Sequence, residues 1–328
     1  MFRPLAIRAL RTHTCTRVPQ HLQTYSRRTL STAKLIQQLR KNTGAPMMEC
    51  KKAIQADGVD GDYDKAADWL RKNSSVKTAS KLAGRDAVEG LVGLHIVQSS
   101  ESGGNERGSL VKIASETDFA SRSPDFVALV ETVAAAVTED ASVSQTVDVD
   151  TFTSENAAVK QAMEDAVLSI RENLQIASAT TMVATPDSQL VGYVHGKVDT
   201  TKMAGTAAAL VQLQIVQVPS KPRKEIEEIG KKLAMHIVAA KPTYLSPDDV
   251  PEDVLSKERE ILLDQMQDSG KPPEILAKII DGRLRKFYEG VCLTEQGHLL
   301  EEGTPKVSKC LSQLGLKVSA FQSVFVQQ

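Results

Sequence analysis

The residue types that perform chemistry in enzymes are present in this 328-residue chain, but no spacing groups them into a catalytic motif. The sequence contains no G-x-x-x-x-G-K-[ST] phosphate loop, no G-x-G-x-x-G, no H-E-x-x-H and no G-x-S-x-G. The histidines of the body are scattered, at His95, His195, His236 and His298. The residues therefore give no positive indication of an enzyme. A hydrolase that pairs Asp118 with His195 or His236 stays open as an alternative.

The four cysteines do not indicate a metal site. Cys15, Cys50, Cys292 and Cys310 are widely separated, with no C-x-x-C and no histidine at ligand spacing. This pattern excludes a standard zinc site and a disulfide framework. We expect neither a metal nor another cofactor.

Two pairs of residues on predicted helices suit a contact surface. Met48 lies about 100° from the helical stripe formed by Met47, Cys50 and Ile54, and methionine adapts well to contact surfaces. In a helix predicted from Pro222 to Ala240, Met235 falls opposite the apolar stripe and His236 falls at its edge. The alternatives are a wide core face for the first pair, and a stray methionine beside a core-edge histidine for the second.

A third candidate is the polar turn Glu116-Thr117-Asp118-Phe119-Ala120, between a predicted strand and a predicted helix. Aromatic residues make up only 4% of the chain, so a phenylalanine in such a turn is unusual. Phe119 is either a contact residue or a plug of the core. In the second case Asp118 would stabilise the turn.

The first 30 residues contain six arginines and no acidic residue. On a helical wheel, Arg3, Arg8 and Arg11 share one side, and Arg28-Thr29-Leu30-Ser31 resembles a matrix-protease site. This composition predicts a mitochondrial transit peptide at residues 1–30 and a location in the matrix. A basic arm that binds nucleic acid is the alternative.

The rest of the chain is acidic. The whole chain has 40 Lys and Arg against 41 Asp and Glu, and the leader holds six of the 40, which leaves 34 against 41. An acidic body is a poor binder of phosphate backbones and fits protein partners better. No run of about 18 apolar residues is present, so we expect no transmembrane helix and no membrane contact.

Hydrophobic periodicity predicts an α+β fold behind these candidates. We expect a three-helix N-terminal module at 34–72, a linker at 73–87, and two related α+β subdomains at 88–172 and 173–328. The predicted strands cover 88–96, 110–114, 174–184, 190–195, 207–218 and 317–326. The predicted longer helices begin at Pro124 and near Val159, or cover 222–240, 252–267 and 273–289.

Four motifs resemble those of the translation elongation factor Ts family. The first is Leu39–Ala53 (LRKNTGAPMMECKKA), and the second is Thr117-Asp118-Phe119. The third is Ala234–Pro242 (AMHIVAAKP), and the fourth joins Gln267–Pro272 to Glu289–Thr294. The motifs occur in the family's order, and the resemblance runs from about residue 35 to residue 328.

The resemblance implies guanine-nucleotide exchange on elongation factor Tu, without catalysis by the chain itself. It implies that the N-terminal module is ubiquitin-associated-like (UBA-like), and the leader indicates the mitochondrial form. Phe119 would act as a wedge that disturbs the Mg²⁺ and phosphate site of the partner. The residues expected to contact the partner are Arg40, Met47, Met48, Thr117, Asp118, Phe119, Met235 and His236.

Some positions depart from the family pattern. Ala120 replaces the usual Val, Glu116 replaces a common Gln, and the helical hairpin of bacterial members is expected to be absent or remodelled. A chaperone or scaffold partner of the same GTPase is the alternative function. Ubiquitin binding by the N-terminal module is disfavoured by the compartment.

Overall fold

The structure is a computed structural model that describes residues 32–82, 84–97, 105–141, 145–216, 222–265 and 273–327. The predicted leader and the Gln267–Pro272 motif lie outside these residues. The helices are α1 (Thr32–Thr43), α2 (Met47–Ile54), α3 (Tyr63–Leu82), α4 (Asp118–Ser121), α5 (Pro124–Asp140), α6 (Val149–Glu155), α7 (Ala157–Ile170), α8 (Arg223–Ala240), α9 (Glu252–Asp264), α10 (Pro273–Val291) and α11 (Val307–Gln313). The strands are β1 (Glu89–Val97), β2 (Arg107–Ser115), β3 (Gln145–Thr146), β4 (Gln175–Val183), β5 (Ser188–His195), β6 (Ala204–Gly205), β7 (Ala207–Ile215) and β8 (Leu316–Phe325).

Helices α1, α2 and α3 form a small bundle, which confirms the three predicted helices. Its apolar centre includes Leu39, Cys50, Ala53, Ala66 and Leu70. Gly44 joins α1 to α2 with a φ of 67°, a left-handed conformation that favours glycine. Helix α3 is longer than predicted, because it continues to Leu82 and takes in most of the predicted linker at 73–87.

Two antiparallel sheets form the centre of the protein, and the fold class is α+β as predicted. The first sheet has the strand order β3-β4-β2-β1-β6, and the second has the order β5-β7-β8. The sheets pack face to face through an apolar layer that includes Leu94, Leu110, Leu190 and Leu210. A Cβ atom at Gly192 would lie 2.4 Å from Cδ2 of Leu94, so a larger residue at this position would force the Leu94 side chain to move.

Helices cover the outer faces of both sheets. Helices α5, α6 and α7 pack on the first sheet, and α8 and α11 pack on the second. Side chains alternate between the two layers along each strand: Leu91 faces the helices, whereas Val92 faces the other sheet. Helix α5 begins as predicted at Pro124, where the hydroxyl of Ser123 accepts a hydrogen bond from the amide of Phe126.

The predicted boundary between the subdomains at 172/173 does not separate the two sheets. Strand β4, which we expected in the second subdomain, pairs with β2 of the first sheet, and β6 pairs with β1. The chain therefore enters the second sheet at β5, returns briefly to the first at β6, and leaves it again at β7. Periodicity identifies a strand but not its neighbour, and that is why the boundary was wrong.

Helices α9 and α10 pack on one another, with Val254 and Leu255 near Phe287 and Tyr288. These two helices confirm the pair predicted at 252–267 and 273–289. Across the described ranges, no helix combines the length and the apolar character needed to cross a membrane.

Candidate partner-binding surface

The Thr117–Ser121 segment, here called the tip, is a single helical turn directly after β2. The hydroxyl of Thr117 caps this turn by accepting a hydrogen bond from the amide of Ala120 at 3.2 Å. Ala120 and Ser121 are buried, whereas the side chain of Phe119 is 86% exposed. The turn is thus anchored on its small residues and projects its aromatic residue into solvent. Phe119 is not a plug of the core.

The carboxylate of Asp118 lies beside Phe119 and is also exposed. It pairs with the guanidinium of Arg122, one turn later, at 3.6 Å. An exposed ion pair of this kind contributes little to stability, typically about 1 kcal/mol or less. Asp118 can therefore exchange Arg122 for a polar group of a partner at low cost.

The candidates of the N-terminal bundle lie on its surface. Met48 is 63% exposed, and Met47 and Arg40 are exposed as well. The exposure of Met47 differs from the periodicity, which placed it on the stripe with Cys50. Met47 is the first residue of α2, so the stripe has not yet reached the bundle interior.

At the end of α8 the two candidates have different positions. Met235 is 37% exposed, but His236 is only 1% exposed. The structure therefore places His236 inside the fold and not at an exposed edge, although it still lines the groove described below. The turn at residues 296–300 covers it, and no periodicity in α8 reveals a cover that lies sixty residues further along the chain.

The hydrogen bonds of His236 define its tautomer. The Nε2 atom lies 3.0 Å from Oε1 of Gln296, whose amide nitrogen donates to the carbonyl of Gly290. Nε2 of His236 therefore donates, and its Nδ1 accepts from the amide of Leu299 at 3.3 Å. A neutral imidazole satisfies both contacts, whereas a protonated one would lose the bond to Leu299.

A second histidine repeats this arrangement. His298 is buried beside His236 with the ring centroids 5.3 Å apart, and its Nδ1 accepts from the amide of Leu300 at 3.3 Å. Burial lowers the pKa of His236, against a raising effect of the Gln296 hydrogen bond. Burial and the neighbouring His236 lower the pKa of His298. Both rings are therefore neutral at pH 7.

The two histidines hold Leu299 and Leu300 in place. Leu299 is 54% exposed and Leu300 is nearly as exposed, which is unusual for adjacent leucines. The sequence analysis missed this pair. A signal was present, since two leucines precede Glu301, Glu302 and a glycine in an otherwise polar turn.

A groove of about 1030 Å³ brings these regions together. Asp118 of the tip and the adjacent Arg122 line it at one place, and Met235, Leu299 and Leu300 line it at another. Its further walls come from the ends of β1, β5 and β8. The described residues that line it include none from the N-terminal bundle, so Met47 and Met48 belong to a separate surface.

Asp118, His195 and His236 all line this groove, but none of the described contacts pairs Asp118 with either histidine. Within the described ranges, no group of three or more His, Cys, Asp or Glu residues is placed to hold a metal ion. Asp118 pairs with Arg122, His195 lies 3.3 Å from the hydroxyl of Tyr193, and His236 bonds Gln296. The contacts of the groove suit association with another macromolecule through exposed apolar side chains.

Comparison with known proteins identifies the family of the chain. The sequence model of the family described as Elongation factor TS matches residues 116–328. Elongation factor Ts of Paramagnetospirillum magneticum is 34% identical over 289 residues, which cover 88% of this chain and 87% of the relative. Elongation factor Ts of Rhodospirillum rubrum is 35% identical over 295 residues, 88% of each chain. The chain belongs to the elongation factor Ts family.

Proposed function

We propose that this chain is a guanine-nucleotide exchange factor for mitochondrial elongation factor Tu, and that it catalyses no reaction itself. Family membership supports the exchange role. The observation that carries the mechanism is the 86% exposure of Phe119 on a turn that is anchored behind it. A large aromatic side chain that is left in solvent is best explained by a partner that buries it.

The action of an exchange factor follows from linkage. A GTPase holds its nucleotide through phosphate-loop amides and through Mg²⁺ that bridges phosphate oxygens to the protein. A factor that binds the empty GTPase more tightly than the loaded one weakens nucleotide binding. Nucleotide weakens the factor to the same extent, because the coupling is reciprocal. The factor therefore leaves when nucleotide returns.

The tip supplies part of this difference in affinity. Phe119 would enter the GTP-binding domain as a wedge near the Mg²⁺ and phosphate site, with Asp118 exchanging Arg122 for a polar group there. Burying one phenylalanine contributes about 1.5–3 kcal/mol, which is roughly 10- to 150-fold in an equilibrium. Met235 and the groove would supply the rest of this difference, whereas Arg40, Met47 and Met48 on the N-terminal bundle would add affinity for both states of the GTPase.

We also propose that the N-terminal bundle is a UBA-like module and that residues 1–30 direct the chain to the mitochondrial matrix. The arginine-rich, acid-free composition of the leader supports the second point. An import assay with isolated mitochondria and the full chain tests it. Import with cleavage is expected, whereas replacement of Arg3, Arg8 and Arg11 by glutamine should reduce import. Equal import of both chains would contradict the targeting role.

The exchange function is tested with mitochondrial elongation factor Tu that carries fluorescent GDP. We expect the chain without its leader to accelerate GDP release in the presence of excess unlabelled GDP. Release at the spontaneous rate would overturn the exchange function. Binding to the GTPase without acceleration would favour the chaperone or scaffold alternative instead. The hydrolase alternative gains no support from the contacts, because neither His195 nor His236 pairs with Asp118.

A further inference from the structure

The turn that follows α7 touches the tip from behind. Glu172 of this turn accepts two hydrogen bonds from Thr117: one from the amide at 3.0 Å and one from the hydroxyl at 2.7 Å. The hydroxyl of Thr117 at the same time accepts the amide of Ala120. One carboxylate therefore fixes both the backbone and the side chain of the residue that caps the tip.

The turn is itself firmly placed. Asn173 is buried, its amide donates to Glu116 at 2.7 Å, and its side chain donates to the carbonyl of Arg85 at 2.6 Å. Arg171 has a left-handed φ of 66° at the end of α7, and its guanidinium donates to the carbonyl of Gly44 at 3.2 Å. Glu172 thus lies between two anchored neighbours.

The tip needs such a support. A four-residue helix such as α4 is far too short to be stable alone. The carbonyl of Thr117 accepts from the hydroxyl of Ser115, but that bond comes from the same strand end and does not tie the turn to another element. Within the described part of the chain, the two hydrogen bonds to Glu172 are the ones that join Thr117 to a distant segment.

We propose that Glu172 is a positioning residue for exchange: it touches no nucleotide and holds the tip so that Phe119 meets the GTPase in one orientation. This inference rests on the proposed exchange function. Phe119 can disturb the site of the partner only if the turn that carries it keeps its position, since small errors of position lower a rate by large factors. Without the carboxylate, Phe119 should remain exposed, but its side chain should no longer be held in one orientation toward the GTPase.

The test measures GDP release from mitochondrial elongation factor Tu at saturating concentrations of the chain. Glu172→Ala loses two hydrogen bonds to a charged group, and we expect the maximal release rate to fall about tenfold. Glu172→Gln retains one acceptor and should recover most of the rate. Glu155→Ala removes an exposed carboxylate at the end of α6 and is the matched control, for which we expect no change.

A double-mutant cycle separates positioning from general destabilisation. If Glu172 acts through Phe119, Glu172→Ala should change the rate less than twofold in a Phe119→Ala background, because coupled residues are not additive. Full additivity in the cycle, or an unchanged rate for the single Glu172→Ala variant, would overturn the proposal.

Hydrogen exchange of the free chain distinguishes this proposal from the exchange function itself. We expect faster exchange at the amides of Thr117 and Ala120 in Glu172→Ala, with unchanged protection in the β1 and β2 strands. Unchanged tip protection would overturn the positioning role. The two ideas can also fail separately. If the tip amides exchange hydrogen faster in Glu172→Ala but the wild-type chain does not accelerate GDP release, Glu172 still holds the tip, and only the nucleotide-exchange function is overturned.

Discussion

The tip at Thr117–Ser121 and the turn at residues 296–300 both line one groove and both carry exposed apolar side chains, but different groups hold them. Under the tip lies a carboxylate, Glu172, which binds the cap residue Thr117. Under the other turn lie two imidazoles, which accept the amides of Leu299 and Leu300. In both regions a polar side chain that lies behind the exposed residues accepts hydrogen bonds from their backbone.

The support of the leucine turn is sensitive to acid. Burial holds the pKa of both histidines below the ordinary value of about 6.5. A proton on Nδ1 of His236 or His298 removes the lone pair that receives the leucine amide. Protonation of these rings should therefore loosen the leucine turn.

The largest effect is expected at the tip. Phe119→Ala removes the proposed wedge, so we expect the maximal rate of GDP release to fall about 10- to 150-fold. The fold should be unaffected, because the side chain is 86% exposed. Stopped-flow release of fluorescent GDP measures the rate, and thermal unfolding checks the fold.

Val216→Ala is the control for the tip variant, since it shortens another exposed apolar residue, at the far end of β7. A release rate within twofold of wild type in Phe119→Ala would show that the tip does not drive exchange. The leucine turn would then become the more important of the two regions.

The second prediction concerns pH. Both histidines have folded pKa values below their ordinary 6.5, so the unfolded chain binds more protons below that pH. Their stabilisation is complete above pH 6.5 and decreases as the pH falls below it, by up to about 1.4 kcal/mol per pH unit for each histidine. Urea unfolding between pH 7.5 and 5.5 measures the slope.

An NMR titration of the imidazole protons checks the assignment without any substitution. The two histidines should titrate below pH 6.5. Midpoints at or above 6.5 would show that the buried pair does not support the leucine turn by staying neutral.

These two regions also show how far sequence reasoning reached. The polar turn at the tip was predictable as an element, but the residues alone left open whether Phe119 was exposed or a plug of the core. The helix α8 was also predictable as an element, and the apolar stripe opposite Met235 is buried at Ile226 and Leu233. The burial of His236 was not predictable. The turn at residues 296–300 that covers it is sixty residues away in the sequence, and the periodicity of α8 contains no information about it.

The same limit explains the other differences. Strand β4 was predicted within two residues at each end, but its partner β2 was not, because pairing depends on where α7 returns the chain. Glu172 has no signal of its own: a charged residue after a helix is ordinary. Its role is visible only when Thr117, 55 residues earlier in the chain, is seen to lie against it.

The third prediction tests the leucine turn directly. The double variant Leu299→Ser, Leu300→Ser removes two half-exposed apolar side chains. Burying their exposed area against a partner would contribute about 1 kcal/mol in total to the binding free energy. We expect about fivefold weaker binding to nucleotide-free elongation factor Tu, measured by titration calorimetry. Val216→Ser is the control. Unchanged affinity would show that the groove is used only at the tip.

The smallest effect is expected on the N-terminal bundle, at a distance from both regions. Met48 has no polar group beneath it that is comparable with Glu172 or His236: α2 is held by the apolar packing of Cys50 and Ala53. A methionine with three rotatable bonds adapts to its partner and loses part of its contact energy to ordering. Met48→Ala should therefore weaken binding to nucleotide-free elongation factor Tu about threefold.

The Met48 effect should be confined to affinity. Lys52→Ala, an exposed neighbour on the same helix, serves as the control and should bind like wild type. The maximal release rate at saturation should stay unchanged in Met48→Ala, because an adaptable contact adds equally to the loaded and empty complexes. A fall in the maximal rate would place the bundle beside the tip as a region that discriminates between the two states.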